Sequence, residues 1–309
     1  MDPTNPYYRR VRLLTRILPL IAEERCFALK GGTAINLFVR DLPRLSVDID
    51  LVYLPLDDRQ AALANIRQAL ARIADTILAT IPRSTVIRSF EHAEDTLRLF
   101  VDYQGDRIHI ELSPVLRGSV HPEELRSVAP SVEDQFGYAE IQLLSFTDLY
   151  AGKLCAALDR QHPRDLFDVR LLLDAEGIGP DLIQTFLVYL ISHSRPMAEL
   201  LRPTRKDIAG LYEQEFRSMT QIEISLIDLL DTREELISTI NTALTADQRA
   251  FLMSFKAGAP DWTLLGLEGV EQLPAVRWKQ LNLDKLEKSR RAELVAALER
   301  VLFEAPDGD

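Results

Sequence analysis

The chain has 309 residues, 47% of them apolar, and a formal net charge of −11. That length and apolar content can bury one large core or two smaller ones, which excludes a disordered, collagen-like or disulfide-stapled protein. The acidic balance argues against a protein that coats nucleic acid nonspecifically, because that needs an excess of Lys and Arg over phosphates. It leaves room for a local basic groove.

In chain order, residues 1–6 carry no basic segment followed by an apolar one, so no export signal is expected. Val11, Leu14, Ile17, Leu18 and Ile21 recur at helical spacing and predict an opening amphipathic helix over 7–24. Cys26-Phe27-Ala28-Leu29 reads as a short buried strand, followed by the sharp break Lys30-Gly31-Gly32 and a helix over 33–40. Pro43 interrupts before a strand over 47–54, and an Ala- and Leu-rich helix over 57–80 follows. Three more strands are expected at 85–90, 97–103 and 107–113, the last two flanking the hairpin signal Gln104-Gly105-Asp106. Beyond Pro114 the pattern turns mostly helical (146–159, 164–175, 181–192, then several helices to Leu302), with one strand near 138–143. The loop over 256–273 holds one of the two Trp residues and is expected to cover a surface of the helical region.

The longest apolar stretches, such as 185–191, are too short to cross a bilayer, so no membrane association is expected. Cys26 and Cys155, alone in apolar surroundings, fit a reduced cytoplasmic protein better than a disulfide or zinc framework. Strands interleaved with helices, then a run of helices, predict an α+β chain. A mixed sheet with helices is expected over 1–125 and a mostly α-helical domain over 126–309.

Chemistry concentrates in Lys30-Gly31-Gly32-Thr33 and Ser46-Val47-Asp48-Ile49-Asp50-Leu51. Alternate residues of a strand share a face, so Asp48 and Asp50 point one way while Ile49 and Leu51 point into the core. Neighbouring carboxylates repel, and a hard divalent cation such as Mg²⁺, held together with substrate phosphates, relieves that repulsion. A glycine pair between strand and helix lets a phosphate approach backbone N–H groups at a helix N-terminus. The plainer readings are a simple turn for the glycines and ion pairing to Arg40 or Arg44 for the aspartates.

Gly-Gly, a short helix, then Asp-x-Asp on a strand resembles the DNA polymerase β-type nucleotidyltransferase superfamily. More specifically, Leu29-Lys30-Gly31-Gly32-Thr33-Ala34-Ile35-Asn36-Leu37 and Pro43-Arg44-Leu45-Ser46-Val47-Asp48-Ile49-Asp50-Leu51 resemble the AbiEii-type (MenT-like) toxins of bacterial toxin–antitoxin and abortive-infection systems. Asp148-Leu149-Tyr150-Ala151-Gly152-Lys153-Leu154 and Arg164-Asp165-Leu166-Phe167-Asp168 look like that family's later Lys and Asp motifs. The spacing from Gly32 to Asp48 is wider than usual for the superfamily.

The resemblance implies a polymerase β-type core at the N-terminus, with Lys153 and Asp165 contributed from the helical part. It implies a third carboxylate on a strand beside the Asp-x-Asp strand. Glu111 is favoured there and Asp102 competes, while a cross-strand ion pair between Glu111 and Arg98 is the structural alternative. Lys153 otherwise reads as a snorkelling surface residue, and Asp165 as a first-turn residue or cap. His109 and His162 stay without a role.

The expected reaction is transfer of a nucleoside monophosphate from an NTP to an acceptor hydroxyl. Asp48, Asp50 and Glu111 would hold two Mg²⁺ ions, with Lys30, Gly31, Gly32, Thr33, Ser46 and Lys153 on the nucleotide. The resemblance implies tRNA, often its 3′ end, as acceptor and a cognate antitoxin as partner. Arg40, Arg44, Arg83, Arg88, Arg160 and Arg164 are the candidates for a basic groove. The alternatives are a small-molecule, aminoglycoside-like nucleotidyltransferase, which suits the acidic chain, and a noncatalytic nucleotide-binding protein.

Overall fold

The computed structural model describes residues 5–91 and 96–304; part of the chain start read above for an export signal lies outside them. Two compact units form, Met1–Leu149 with Arg217–Glu223, and Tyr150–Phe216 with Ile224–Asp309.

The first unit opens with α1 (Pro6–Ala22), where the Asn5 side chain accepts the Tyr7 N–H and Pro6 supplies a pre-set first turn. Val11, Leu14, Ile17 and Leu18 are fully buried, as their spacing predicts. Strand β1 (Phe27–Lys30) leads straight into α2 (Gly31–Ala34), whose last turn widens over Ile35–Val39. The helix is assigned from Gly31, two residues earlier than expected, with Gly31 itself at a positive φ of 75° where the strand bends into it.

Next come β2 (Asp48–Tyr53), α3 (Arg59–Thr80, capped by Asp58), β3 (Thr85–Arg88), β4 (Arg98–Tyr103) and β5 (Asp106–Leu112). Gln104 and Gly105 both take positive φ, 52° and 85°, the tight two-residue turn the hairpin signal demands. Strand β6 (Glu124–Ser127), helix α4 (Pro130–Phe136) and strand β7 (Glu140–Leu143) complete the unit.

All seven strands join one mixed sheet in the order β3-β4-β5-β2-β1-β7-β6. Its centre, β2, runs antiparallel to β1 and parallel to β5. Ile49 and Leu51 lie beside Ile110 and Leu112 on the buried face, which places Asp48 beside His109 and Asp50 beside Glu111 on the other. Helix α1 packs against β5, β7 and α3.

The expected boundary after residue 125 differs from the observed units. Leu29 pairs in parallel with Leu143, which carries the sheet past 125 to the start of α5 (Phe146–Arg160). The segment 217–223 also returns to the first unit. Leu45 N–H donates to Met219 O at 2.7 Å, and Thr220 Oγ1 donates to Pro43 O at 3.1 Å, pinning the loop that enters β2.

The second unit is helical. Its α6 (Pro163–Ala175) and α7 (Pro180–Ser192) are followed by Leu226–Ala243, Ala246–Ala257, Pro274–Asp284 and Lys288–Phe303. Three of these later helices touch α7, whose Phe186, Leu187, Leu190 and Ile191 are fully buried. The loop after Gly258 covers that unit as expected, with Trp262 on Phe251 and Phe255 at ring distances of 5.4 and 6.1 Å.

Candidate active site

Asp48 and Asp50 occupy alternate positions of β2 and are partly exposed between buried neighbours. Gly31 faces them with φ of 75°, and a Cβ built there would stand 2.4 Å from Asp50 Oδ2. Only a residue without a side chain tolerates both conditions. A Cβ at Gly32 would stand 2.9 Å from an Arg44 guanidinium nitrogen and 3.0 Å from Ser46 Oγ. Thr33 Oγ1 donates to Asp48 O at 2.5 Å and lies 3.1 Å from Ser46 Oγ. The Thr33 side chain thus ties the glycine turn to the Asp-x-Asp strand. Ser46 is buried behind them.

A polar cleft of ≈ 320 Å³ opens beside Asp50, lined also by Lys30, Thr96, Arg98, Glu111 and Ser113. Glu111 lies next to Asp50 on β5, and the hairpin register sets it opposite Arg98 on β4. Arg98 donates to its carboxylate at 2.5 Å, so the cross-strand ion pair foreseen as the alternative exists. Asp102 is bound by both Nε and Nη2 of Arg107, which holds its carboxyl below the usual range. His109, without a role on sequence grounds, stands with Nδ1 3.7 Å from Asp48 Oδ1 and its ring edge-on to Phe100. The signal for it was present: His109 and Glu111 share strand parity.

Among the described residues no three His, Cys, Asp or Glu side chains converge on a preformed metal cage. The donor set nonetheless suits Mg²⁺, which uses one or two carboxylates and completes its octahedron with water and substrate phosphates. Asp48 and Asp50 on one face, with Glu111 beside Asp50, supply hard oxygens of that kind.

In the second unit, Lys153 does not snorkel. It is 6% exposed, and its Nζ sits 2.8 Å from both Asp165 and Asp168. Arg160 adds a second cation 2.8 Å from Asp165. His162, rather than Asp165, caps α6, its Nδ1 accepting the Arg164 N–H at 3.1 Å. Asp168, quoted in the same motif as Asp165, is a full member of this buried cluster. Asp148, quoted within the same motif, is a clamp in the first unit. It accepts the N–H groups of Val120 and His121 at 2.9 Å and the Ser145 hydroxyl at 2.8 Å.

Several arginines expected in a basic groove have internal duties. Arg44 is 2% exposed, with Nη1 donating to Leu45 O. Arg88 pairs with Asp75, Arg160 with Asp165, and Arg164 approaches Glu215 at 3.9 Å. Cys26 and Cys155 are free thiols, and burial pushes the Cys26 thiol up to about 11.

A family model described as the AbiEii nucleotidyltransferase toxin of type IV toxin–antitoxin systems matches residues 12–281. The chain belongs to this family. It is an AbiEii nucleotidyltransferase, of a toxin–antitoxin class that implies an antitoxin partner. Among solved structures it is similar to MenT4, a nucleotidyltransferase toxin from Mycobacterium tuberculosis H37Rv, at 14% identity and a TM-score of 0.62, over 96% of this chain and 95% of that one. At that identity the likeness speaks for the AbiEii fold. No curated protein matches the sequence. Among the described residues no helix is long and apolar enough to cross a membrane.

Proposed function

We propose that this AbiEii-family chain transfers a nucleoside monophosphate from an NTP to the 3′-end hydroxyl of a tRNA, releasing pyrophosphate and blocking translation. One observation carries the transfer chemistry: Asp48 and Asp50 share the open face of β2 against a Gly31 whose missing side chain leaves room beside Asp50. Lys30 and the N–H groups of Gly31 and Gly32 would bind and orient the polyphosphate. Asp48, Asp50 and Glu111 would hold Mg²⁺, which when bound neutralises and polarises phosphoryl oxygens. Glu111 would also take the acceptor's proton. The family resemblance assigns Lys153 a triphosphate contact and Asp165 its support.

A second reading, transfer to a small cationic acceptor of the aminoglycoside kind, has its own observation. The net charge is −11, and Arg44, Arg88 and Arg160 are buried or ion-paired rather than spread for a polyanion. Incubating the purified protein with each labelled NTP, Mg²⁺ and either total tRNA or an aminoglycoside separates the two. Labelled tRNA is the expected result. Label on the aminoglycoside alone overturns the tRNA assignment, and label on neither favours a noncatalytic nucleotide-binding protein.

A further inference from the structure

The cleft beside Asp50 holds two carboxylates, Asp50 and Glu111, and two cations, Lys30 and Arg98. A nucleoside triphosphate is a polyanion, and carboxylates alone would repel it, so the cations decide whether it can enter. The Lys30 ammonium has no hydrogen bond or ion pair among the described residues, while its backbone stands opposite Asp50 in the sheet. Arg98 spends one outer nitrogen on Glu111 at 2.5 Å, while its Nε is buried with no hydrogen-bond partner among the described residues. A buried donor left unmet is costly, and the great majority in folded proteins find an acceptor. Phe100 lies beneath the guanidinium, 5.9 Å from ring centroid to Cζ, and supports its plane from one side.

We infer that Arg98 is a ligand of the nucleotide's triphosphate, parked on Glu111 in the free protein. When a triphosphate arrives beside Lys30, Arg98 turns its fork to the phosphate oxygens and releases Glu111. The planar guanidinium suits this exchange because carboxylate and phosphate offer it the same two-oxygen edge. Substrate binding thereby frees the carboxylate that the reaction uses. The inference rests on the nucleotidyl-transfer reading and adds a residue and a binding order to it.

The test is NTP affinity, measured by titration calorimetry with ATP, CTP, GTP and UTP in turn, without Mg²⁺ so that metal binding does not enter. Arg98→Ala should weaken binding about tenfold or more, the loss of a charge-assisted pair, and Arg98→Lys should lose less because it keeps the charge. Glu111→Gln should bind the nucleotide more tightly than the parent, since the competing partner is gone. The decisive comparison is Arg98→Ala within the Glu111→Gln protein. A further loss of about tenfold there supports the phosphate contact, whereas equal affinity reduces Arg98 to a counter-ion of Glu111 and overturns the proposal. Failure of the parent protein to bind any of the four NTPs without Mg²⁺ overturns the proposal, and failure that persists when Mg²⁺ is added back defeats the transfer reading as well. Should Arg98→Ala fail to fold, Arg98→Lys within the Glu111→Gln protein decides instead: a smaller but measurable loss supports the contact, and unchanged affinity overturns it.

Discussion

Gly31 holds φ of 75° with Asp50 Oδ2 where its Cβ would be, so Gly31→Ala meets backbone strain and a collision together. Asp50 must shift, and misplacing a reacting group by about an ångström costs on the order of a hundredfold in rate; steady-state turnover of Gly31→Ala should fall by about that much. Asp48→Asn or Asp50→Asn should abolish transfer with thermal stability unchanged or raised, because one of two repelling carboxylates is neutralised. Near-normal turnover in either would end the metal assignment. Lys153 behaves differently. Removing its ammonium leaves Asp165 and Asp168 buried with a lost partner, so Lys153→Ala should cost about 3–5 kcal/mol in urea unfolding. An unfolding midpoint equal to the parent's, with NTP turnover lost, would instead place Lys153 purely at the nucleotide. The pairing of faces in β2 and β5 was legible from the period of two, and the Arg98–Glu111 register from the turn. The Lys153–Asp168 contact was not, since it depends on how α5 and α6 pack and no local pattern encodes that.

Element by element, the strongly periodic segments were readable, and the misses have physical causes. Strand β6 is a four-residue exposed edge whose one large apolar residue, Leu125, is 57% exposed, so no alternation announces it. The cap of α6 was overlooked because histidine is a less familiar capping residue than Ser, Thr, Asp or Asn. It has a testable signature. The His162 cap accepts a backbone N–H through Nδ1, and burial foremost, then the neighbouring Arg164, hold its pKa below 6.5. Between that lowered value and 6.5 the unfolded chain binds more protons than the folded one, so stability rises with pH across the window and falls as pH drops through it. His162→Asn keeps an acceptor at the cap without titrating. Its denaturation midpoint, followed from pH ~7 to pH ~5, should decline less than the parent's. Parallel profiles would mean that the cap contributes nothing to acid sensitivity.

At the scale of the whole molecule the proposed tRNA acceptor has to be squared with a net charge of −11. The sequence shows a change of pattern after Pro114, whereas the sheet unit runs on to Leu149. The return of 217–223 to the sheet unit was not legible, because seven residues far along the chain carry no mark of where they dock. A duplex acceptor arm is gripped through its phosphates and sugar hydroxyls, so tRNA transfer requires positive charge gathered locally against the bulk sign. Arg44 is too buried to serve, and reversing its charge would disturb the loop entering β2 rather than test binding. Arg83 and Arg164 are exposed and half-buried, respectively, and are the better probes. If tRNA is the acceptor, its labelling should drop at least about tenfold between ~50 and ~200 mM salt, the behaviour of binding that releases counterions. Arg83→Glu or Arg164→Glu should lower it further at the lower salt and flatten the dependence. Overexpression should arrest growth, and Asp48→Asn should abolish the arrest while the protein still accumulates. A small cationic acceptor predicts the opposite electrostatics: a shallow salt dependence, charge reversals that are neutral or favourable, and harmless overexpression. Those three outcomes together would remove tRNA from the reading and leave the AbiEii core with a different acceptor.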